Sequence, residues 1–190
     1  MIRASVVFLA AFTALTGLAY PLAMTGLAQG LFPEQANGAR LGAVGQLFTK
    51  PELFQGRPSA TTPPYNAESS TGSNQSPTNP AFLDAVRQRV EALRAENPDQ
   101  PGLVPADLVT ASGSGLDPDV SVMAAVWQIP RVAKARGLSQ QRLLALVEQE
   151  TQGRFLGLFG ERHVNVVRLN LALEALASGP STVANPTQVR

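Results

Sequence analysis

The 190 residues contain one histidine, His163, and no cysteine. Base and nucleophile chemistry therefore has a single imidazole and no thiol to draw on, and thiolate zinc sites are excluded. A serine nucleophile would need presenting on a sharp turn, and no Gly-x-Ser-x-Gly stretch occurs. Glu148 and Glu150 stand two apart on an expected helix, so they point to different faces and cannot share acid and base work. Helix solubility accounts for both. Gly113-Ser114-Gly115 lacks the spacing and the lysine of a phosphate-binding loop and reads as a tight turn before Asp117-Pro118. Arg131, Lys134 and Arg136, near an expected helix C-terminus, complement its dipole by about 0.3–1 kcal/mol each when exposed. A phosphate or lipid-headgroup site is the alternative for these three. Gln128 is either a plain polar position or an amide aimed at a partner. Arg57, between Gly56 and Pro58, is either a partner contact or a turn residue. The residues predict no catalytic site and no metal site.

What positions these groups begins with an apolar front. Thirty consecutive residues, Ala4 to Pro33, carry no charge, and Arg3 precedes them. A bilayer core needs about 20 mostly apolar helical residues, and 5–27 meets that. A cleaved signal peptide, with Gly26-Leu27-Ala28 as its processing site, is the competing reading, but its apolar core would be shorter. The length favours a retained anchor, with Tyr20-Pro21 expected to break it. Tyr20 is an interfacial aromatic or packs on another helix. The short positive residues 1–4 are expected to stay cytoplasmic and 28–190 to lie outside, as long domains translocate largely regardless of charge. In a two-membrane bacterium that places a single-pass chain in the inner membrane, surrounded by lipid, with its domain in the periplasm.

The soluble part is large enough for one domain with its own core. The net charge of +1 gives no general pull toward nucleic acid. Short strands are expected near Ala43–Phe48 and over Leu103–Thr110. The stretch 61–80 reads as a flexible loop by composition. Helices are expected from Pro80 (N-cap Asn79) to Asn97-Pro98, from Ser121 to Arg136 with a kink or break at Pro130, from Ser139, and over Val164–Leu176. Their inward stripes are Leu83, Val86, Val90 and Leu93; then Leu143, Leu144 and Val147; then Val164, Val167, Leu171 and Ala175. The tail from 179 is expected to fray. The fold class is α+β: one N-terminal transmembrane helix followed by a single extracytoplasmic α+β domain.

Several blocks in order resemble one family. They are Tyr20-Pro21-Leu22, Phe32-Pro33-Glu34-Gln35-Ala36-Asn37-Gly38, Gly45-Gln46 with Phe48, Phe54-Gln55-Gly56-Arg57-Pro58-Ser59-Ala60, Tyr65-Asn66 and Gly72-Ser73-Asn74. The run Asp107 to Pro118, Gln128-Ile129-Pro130-Arg131, Val164-Asn165-Val166 and Leu169-Asn170-Leu171 complete them. The chain is similar to the C subunit of the Kdp potassium-transporting ATPase. The resemblance implies an accessory, non-catalytic subunit of an ATP-driven potassium uptake complex. Its implied partners are a potassium-selective channel-like subunit, a P-type ATPase subunit and a small peptide subunit. No cofactor is implied beyond ATP held by the partner ATPase, and the Asp-Lys-Thr-Gly phosphorylation motif does not occur here. The family is described as a catalytic chaperone that raises ATP affinity, with a glutamine proposed to touch nucleotide; Gln128 is the nearest candidate. An assembly clamp, or a cap over the ion entrance, fits the expected topology. Tyr20 and Pro21 are expected to pack on a neighbouring helix. Gln35, Asn37, Arg57 and Asn74 are candidates for polar partner contacts, with turn formation an equal reading for Asn37 and Asn74. Only Ala39 to Val44 fills a stretch where the family usually carries a longer, hairpin-like segment. The alternative to the pump is a free-standing membrane-anchored binding module, with 61–80 as its contact surface.

Overall fold

The computed structural model describes residues 2–37 and 44–177, and the chain forms two compact units that divide after residue 40. Residues 39–43, in the stretch expected from the resemblance to be short, and the tail from 179 lie outside the described residues.

The first unit is helical. Helix α1 (Ile2–Ala14) passes through a π turn, Leu15–Ala19, into α2 (Tyr20–Leu31). Together they make 30 helical residues, long and apolar enough to cross a membrane, and they bury none of their side chains. The expected break at Tyr20-Pro21 does not occur. A proline in a helix removes one N–H and its ring presses on the carbonyl four residues back. The wider π turn immediately before Pro21, closed by the Tyr20 N–H on the Leu15 carbonyl, lets the helix continue. The short α3 (Pro33–Ala36) follows.

The second unit is α+β. It contains α4 (Pro80–Glu96), β1 (Asp119–Ser121), α5 (Val122–Arg136), α6 (Gln140–Glu150), β2 (Thr151–Gln152), β3 (His163–Asn165) and α7 (Val166–Ala177). The strands form one antiparallel sheet in the order β1-β3-β2, with Val120 opposite Val164 and Thr151 opposite Val164 on the other side. The caps are local chemistry. Asn79, Ser121 and Ser139 each accept a hydrogen bond from a first-turn N–H, and Gly137 ends α5 at φ +65°. Helix α5 runs unbroken through Pro130.

The core lies between the sheet and α5, α6 and α7. Val120, Ala124, Val132, Leu143, Val147, Val164, Leu169 and Leu173 form it, with Phe54 inserted from the segment that follows the turn at 50–53. Four expectations are corrected. Leu103–Thr110 is not a strand: Ala106–Leu108 is a single 3-10 turn, bounded by Pro105, which has no N–H to give a ladder. Val44–Phe48 likewise forms no strand. The inward stripe of α7 is Val166, Val167, Leu169 and Leu173, whereas Leu171 is exposed, because the helix starts only after β3. In α6, Leu146 rather than Leu144 joins the buried face.

Candidate functional site

Residues 50–53 form a turn, closed by the Leu53 N–H on the Lys50 carbonyl at 3.1 Å, and 54–55 follow it without a neighbouring strand, yet their peptide groups cannot stay unpaired against the core. Side chains from the helices supply the partners. Gln128 of α5 accepts from the Gln55 N–H at 2.8 Å and donates to the Gln55 carbonyl at 3.0 Å. Asn170 of α7 does the same for Phe54, at 2.9 Å in both directions. Each amide thus pairs with a whole residue as the next strand of a sheet would.

Arg131 completes the bracket. It is 7% exposed, and its guanidinium donates to the Pro51 carbonyl at 2.6 Å, the Leu53 carbonyl at 3.1 Å, Asn97 Oδ1 at 3.1 Å and Gln128 Oε1 at 2.8 Å. Burial holds its pKa below the ordinary value, with the Glu96 charge opposing. Arg136 donates to the Glu52 carbonyl at 2.8 Å and pairs with Glu174 at 2.5 Å. The sequence reading of Arg131, Lys134 and Arg136 as surface cations on a helix end therefore holds only for Lys134, which is exposed and pairs with Asp99. Arg131 and Arg136 hold another segment.

A second cluster joins the glycine-rich blocks. Arg57 Nη1 meets Asp117 Oδ2 at 3.1 Å, and the Tyr65 hydroxyl donates to the Arg57 carbonyl. Burial, then the Asp117 charge, push the Tyr65 phenol above its ordinary pKa, so it stays a donor. Gly45 lies against the Tyr65 ring, where a Cβ would come within 2.3 Å of Cε1. Gly115, at φ +69°, passes between Thr61 and Thr71 with no room for a Cβ. The stretch 61–80 is joined to this cluster: the Thr71 N–H donates to the Ser114 carbonyl at 3.0 Å, and Thr61 is buried.

Beside it lies a cleft of about 400 Å³ lined by Arg57, Asp107, Asp117, Asp119, Ser121 and His163. His163 Nε2 stands 3.8 Å from Asp119 Oδ2, and its Nδ1 is 2.9 Å from the Glu161 carbonyl. Ser121, opposite His163 in the ladder, uses its Oγ to cap α5. Asp107 accepts from the Ser121 N–H and Asp117 from the Asp119 N–H. These carboxylates thus bind backbone, and no group with metal-ligating geometry occurs among the described residues.

The sequence candidates divide between the two units. Gln128 is 0% exposed, and its amide oxygen and nitrogen are engaged inside the domain. Arg57 is half-buried in its ion pair. Asn74 is exposed at φ +49°, a turn conformation. In the helical unit Tyr20, Pro21, Gln35 and Asn37 are exposed. Asn37 forms a reciprocal amide pair with Gln29, 3.0 Å each way. Asn97, Arg136 and Asn170 were missed as brackets. A signal for Asn170 was present: a polar residue in the apolar series Val166, Leu169, Leu173.

Fold and site together define a small α+β domain behind one helix of membrane-crossing length, whose buried polar side chains bind its own backbone. A sequence profile described as the K+-transporting ATPase c chain, KdpC, matches residues 2–175. The chain is 52% identical over 195 aligned positions to the potassium-transporting ATPase KdpC subunit of Rhodopseudomonas palustris (strain BisB18), covering 92% of this chain and 97% of the relative. Similarity to the KdpC subunits of Variovorax paradoxus (strain S110) and Methylobacterium nodulans (strain LMG 21967 / CNCM I-2342 / ORS 2060) is of the same order. These are 53% identical over 188 positions and 54% over 197, covering 94% and 93% of this chain and 97% of each relative. The chain belongs to the KdpC family.

Proposed function

We propose that this chain is a non-catalytic accessory subunit of a high-affinity, ATP-driven potassium uptake complex. The observation that carries this is the match to potassium-transporting ATPase KdpC subunits over 92–94% of the chain. In this reading the apolar helix holds the chain in the inner membrane, with residues 1–4 cytoplasmic and the α+β domain extracytoplasmic. The domain sits on the potassium-selective channel-like subunit as an assembly clamp or cap. A P-type ATPase subunit, which alone holds ATP, and a small peptide subunit complete the complex.

Gln128 serves the fold and does not touch nucleotide. An extracytoplasmic domain has no access to ATP bound on the other side of the membrane, and the amide is already engaged by Gln55, Ala124 and Arg131. Any rise in ATP affinity of the pump acts through subunit contacts. The test is growth at very low potassium of a strain lacking other potassium uptake systems. Deletion of this chain abolishes growth and its return restores it; undiminished growth of the deletion strain overturns the reading.

A further inference from the structure

The π turn that carries the apolar helix past Pro21 leaves one peptide carbonyl without a helix partner. In an α-helix the Tyr20 N–H would bind the Thr16 carbonyl, four residues back. Here it binds the Leu15 carbonyl instead. On the π pattern the Thr16 carbonyl would take the N–H five residues on. That residue is Pro21, which has none. No side chain among the described residues makes good the loss, and the hydroxyl of Thr16 itself donates to the Phe12 carbonyl at 2.7 Å. Thr16 stands midway along the 30 residues Ile2–Leu31. With the helix in the membrane, that is the middle of a hydrocarbon core about 30 Å thick, where no water serves an unpaired backbone group. Gly17 shares the peptide group with this carbonyl. A Cβ built on Gly17 would meet nothing within 4 Å, so the approach is open.

We propose that the Thr16 carbonyl accepts a hydrogen bond from a side-chain hydroxyl or amide on a transmembrane helix of another subunit of the complex, and that Gly17 lets that helix come close enough to make it. This rests on the accessory-subunit reading above. The missing donor selects the occupant. Acyl chains carry no N–H or O–H, so lipid can cover this face but cannot pair the carbonyl. A second copy packed about a two-fold axis along the membrane normal brings the same acceptor to the same depth. Its own Thr16 hydroxyl is already spent on Phe12. A polar side chain on a different helix supplies the donor, and hydrogen bonds of this kind join neighbouring helices in membranes. π turns inside longer helices recur at functional positions for the same reason: they present backbone groups that the helix no longer uses.

The test uses the full-length chain, isotope-labelled at threonine carbonyl carbons and glycine amide nitrogens. That labelling selects the peptides Thr16-Gly17, Thr25-Gly26 and Thr71-Gly72, and Gly17→Ala assigns the first by removing it. The Thr16 carbonyl resonance is read by solid-state NMR in bilayers, from the chain alone and from the assembled complex. It is expected to move downfield on assembly, as a carbonyl does on gaining a hydrogen bond. In parallel, Gly17→Leu puts a bulky side chain in the approach and lowers recovery of the other subunits about fivefold or more, with membrane insertion of the chain unchanged. A resonance that does not move on assembly would overturn the contact and leave the accessory role standing. So would a shift in the chain alone that follows the chain-to-lipid ratio, which reports a second copy. Undiminished recovery with Gly17→Leu would do the same. Failure of the wild-type chain to recover any ATPase subunit would instead overturn the accessory role, and this contact with it.

Discussion

Gln128 and Gln55, 73 residues apart, form a two-way pair in which a side-chain amide binds both the N–H and the carbonyl of one peptide residue, at 2.8 and 3.0 Å. The irregular segment that follows the turn at 50–53 has no neighbouring strand and is held by α5 and α7 instead. The bracket consists of Gln128, Arg131 and Asn170, and its consequence is that these residues act on stability.

Gln128→Leu leaves the Gln55 N–H and carbonyl without their side-chain partner and removes the Gln128 acceptor of the Arg131 guanidinium, which keeps Pro51, Leu53 and Asn97. Unsatisfied buried groups cost about 1–3 kcal/mol each, so the variant should lose roughly 2–4 kcal/mol. Hydrogen exchange at the Gln55 amide should accelerate well before that of the α6 core. Unchanged stability together with weakened ATP dependence of the pump would count against the structural role.

Arg131→Lys is predicted to be nearly as damaging as Arg131→Leu. A lysine is a point charge and cannot span the Pro51 and Leu53 carbonyls, Asn97 and Gln128 as a planar fork does. Both substitutions should cost on the order of 2–4 kcal/mol, read from chemical denaturation of the chain in detergent. Full retention in the lysine variant would show that charge alone is used.

Gly45→Ala puts a Cβ against the Tyr65 ring and 2.8 Å from the Asp117 carbonyl oxygen. Overpacking of this kind costs about 1–3 kcal/mol. Adding Tyr65→Ala should recover only part of the loss, since the Asp117 backbone remains in place. A double-mutant cycle in the same denaturation assay measures the recovery.

Burial raises the Asp119 carboxyl pKa above its ordinary 3.8, with His163 opposing and Asp117 adding to the rise. A raised folded value means that the neutral acid suits the fold. Its contribution is fully present below the unfolded pKa and is lost as pH rises through the higher folded pKa. Asp119→Asn removes the titration, so the variant should gain on wild type between about pH 3 and pH 7. The gain should stay under about 1 kcal/mol because the group is partly solvated. A difference that shrinks as pH rises would contradict the assignment.

Elements set by neighbouring residues were legible in the sequence. The caps Asn79, Ser121 and Ser139 and the stop at Gly137 depend on one turn of chain, and all are present. The anchor-length helix follows from thirty uncharged residues, although the π turn that accommodates Pro21 has no sequence signature of its own. Strands of two or three residues, such as β1 and β2, have too little pattern to read and exist through pairing with β3. The brackets were hidden for the same reason. Whether Gln128, Arg131 or Asn170 faces a partner or its own chain depends on where residues 51–55 come to lie, and no local propensity encodes that. Asp107, Asp117 and Ser121, which sit in the cleft, bind backbone N–H groups, and this too becomes visible only in three dimensions.

The central claim is tested most directly by a mild-detergent purification on a carboxyl-terminal tag, with mass spectrometry of the copurifying chains. The account predicts a P-type ATPase subunit and a channel-like subunit in fixed proportion to this chain. Recovery of the chain alone, under conditions that keep other membrane complexes intact, would contradict it.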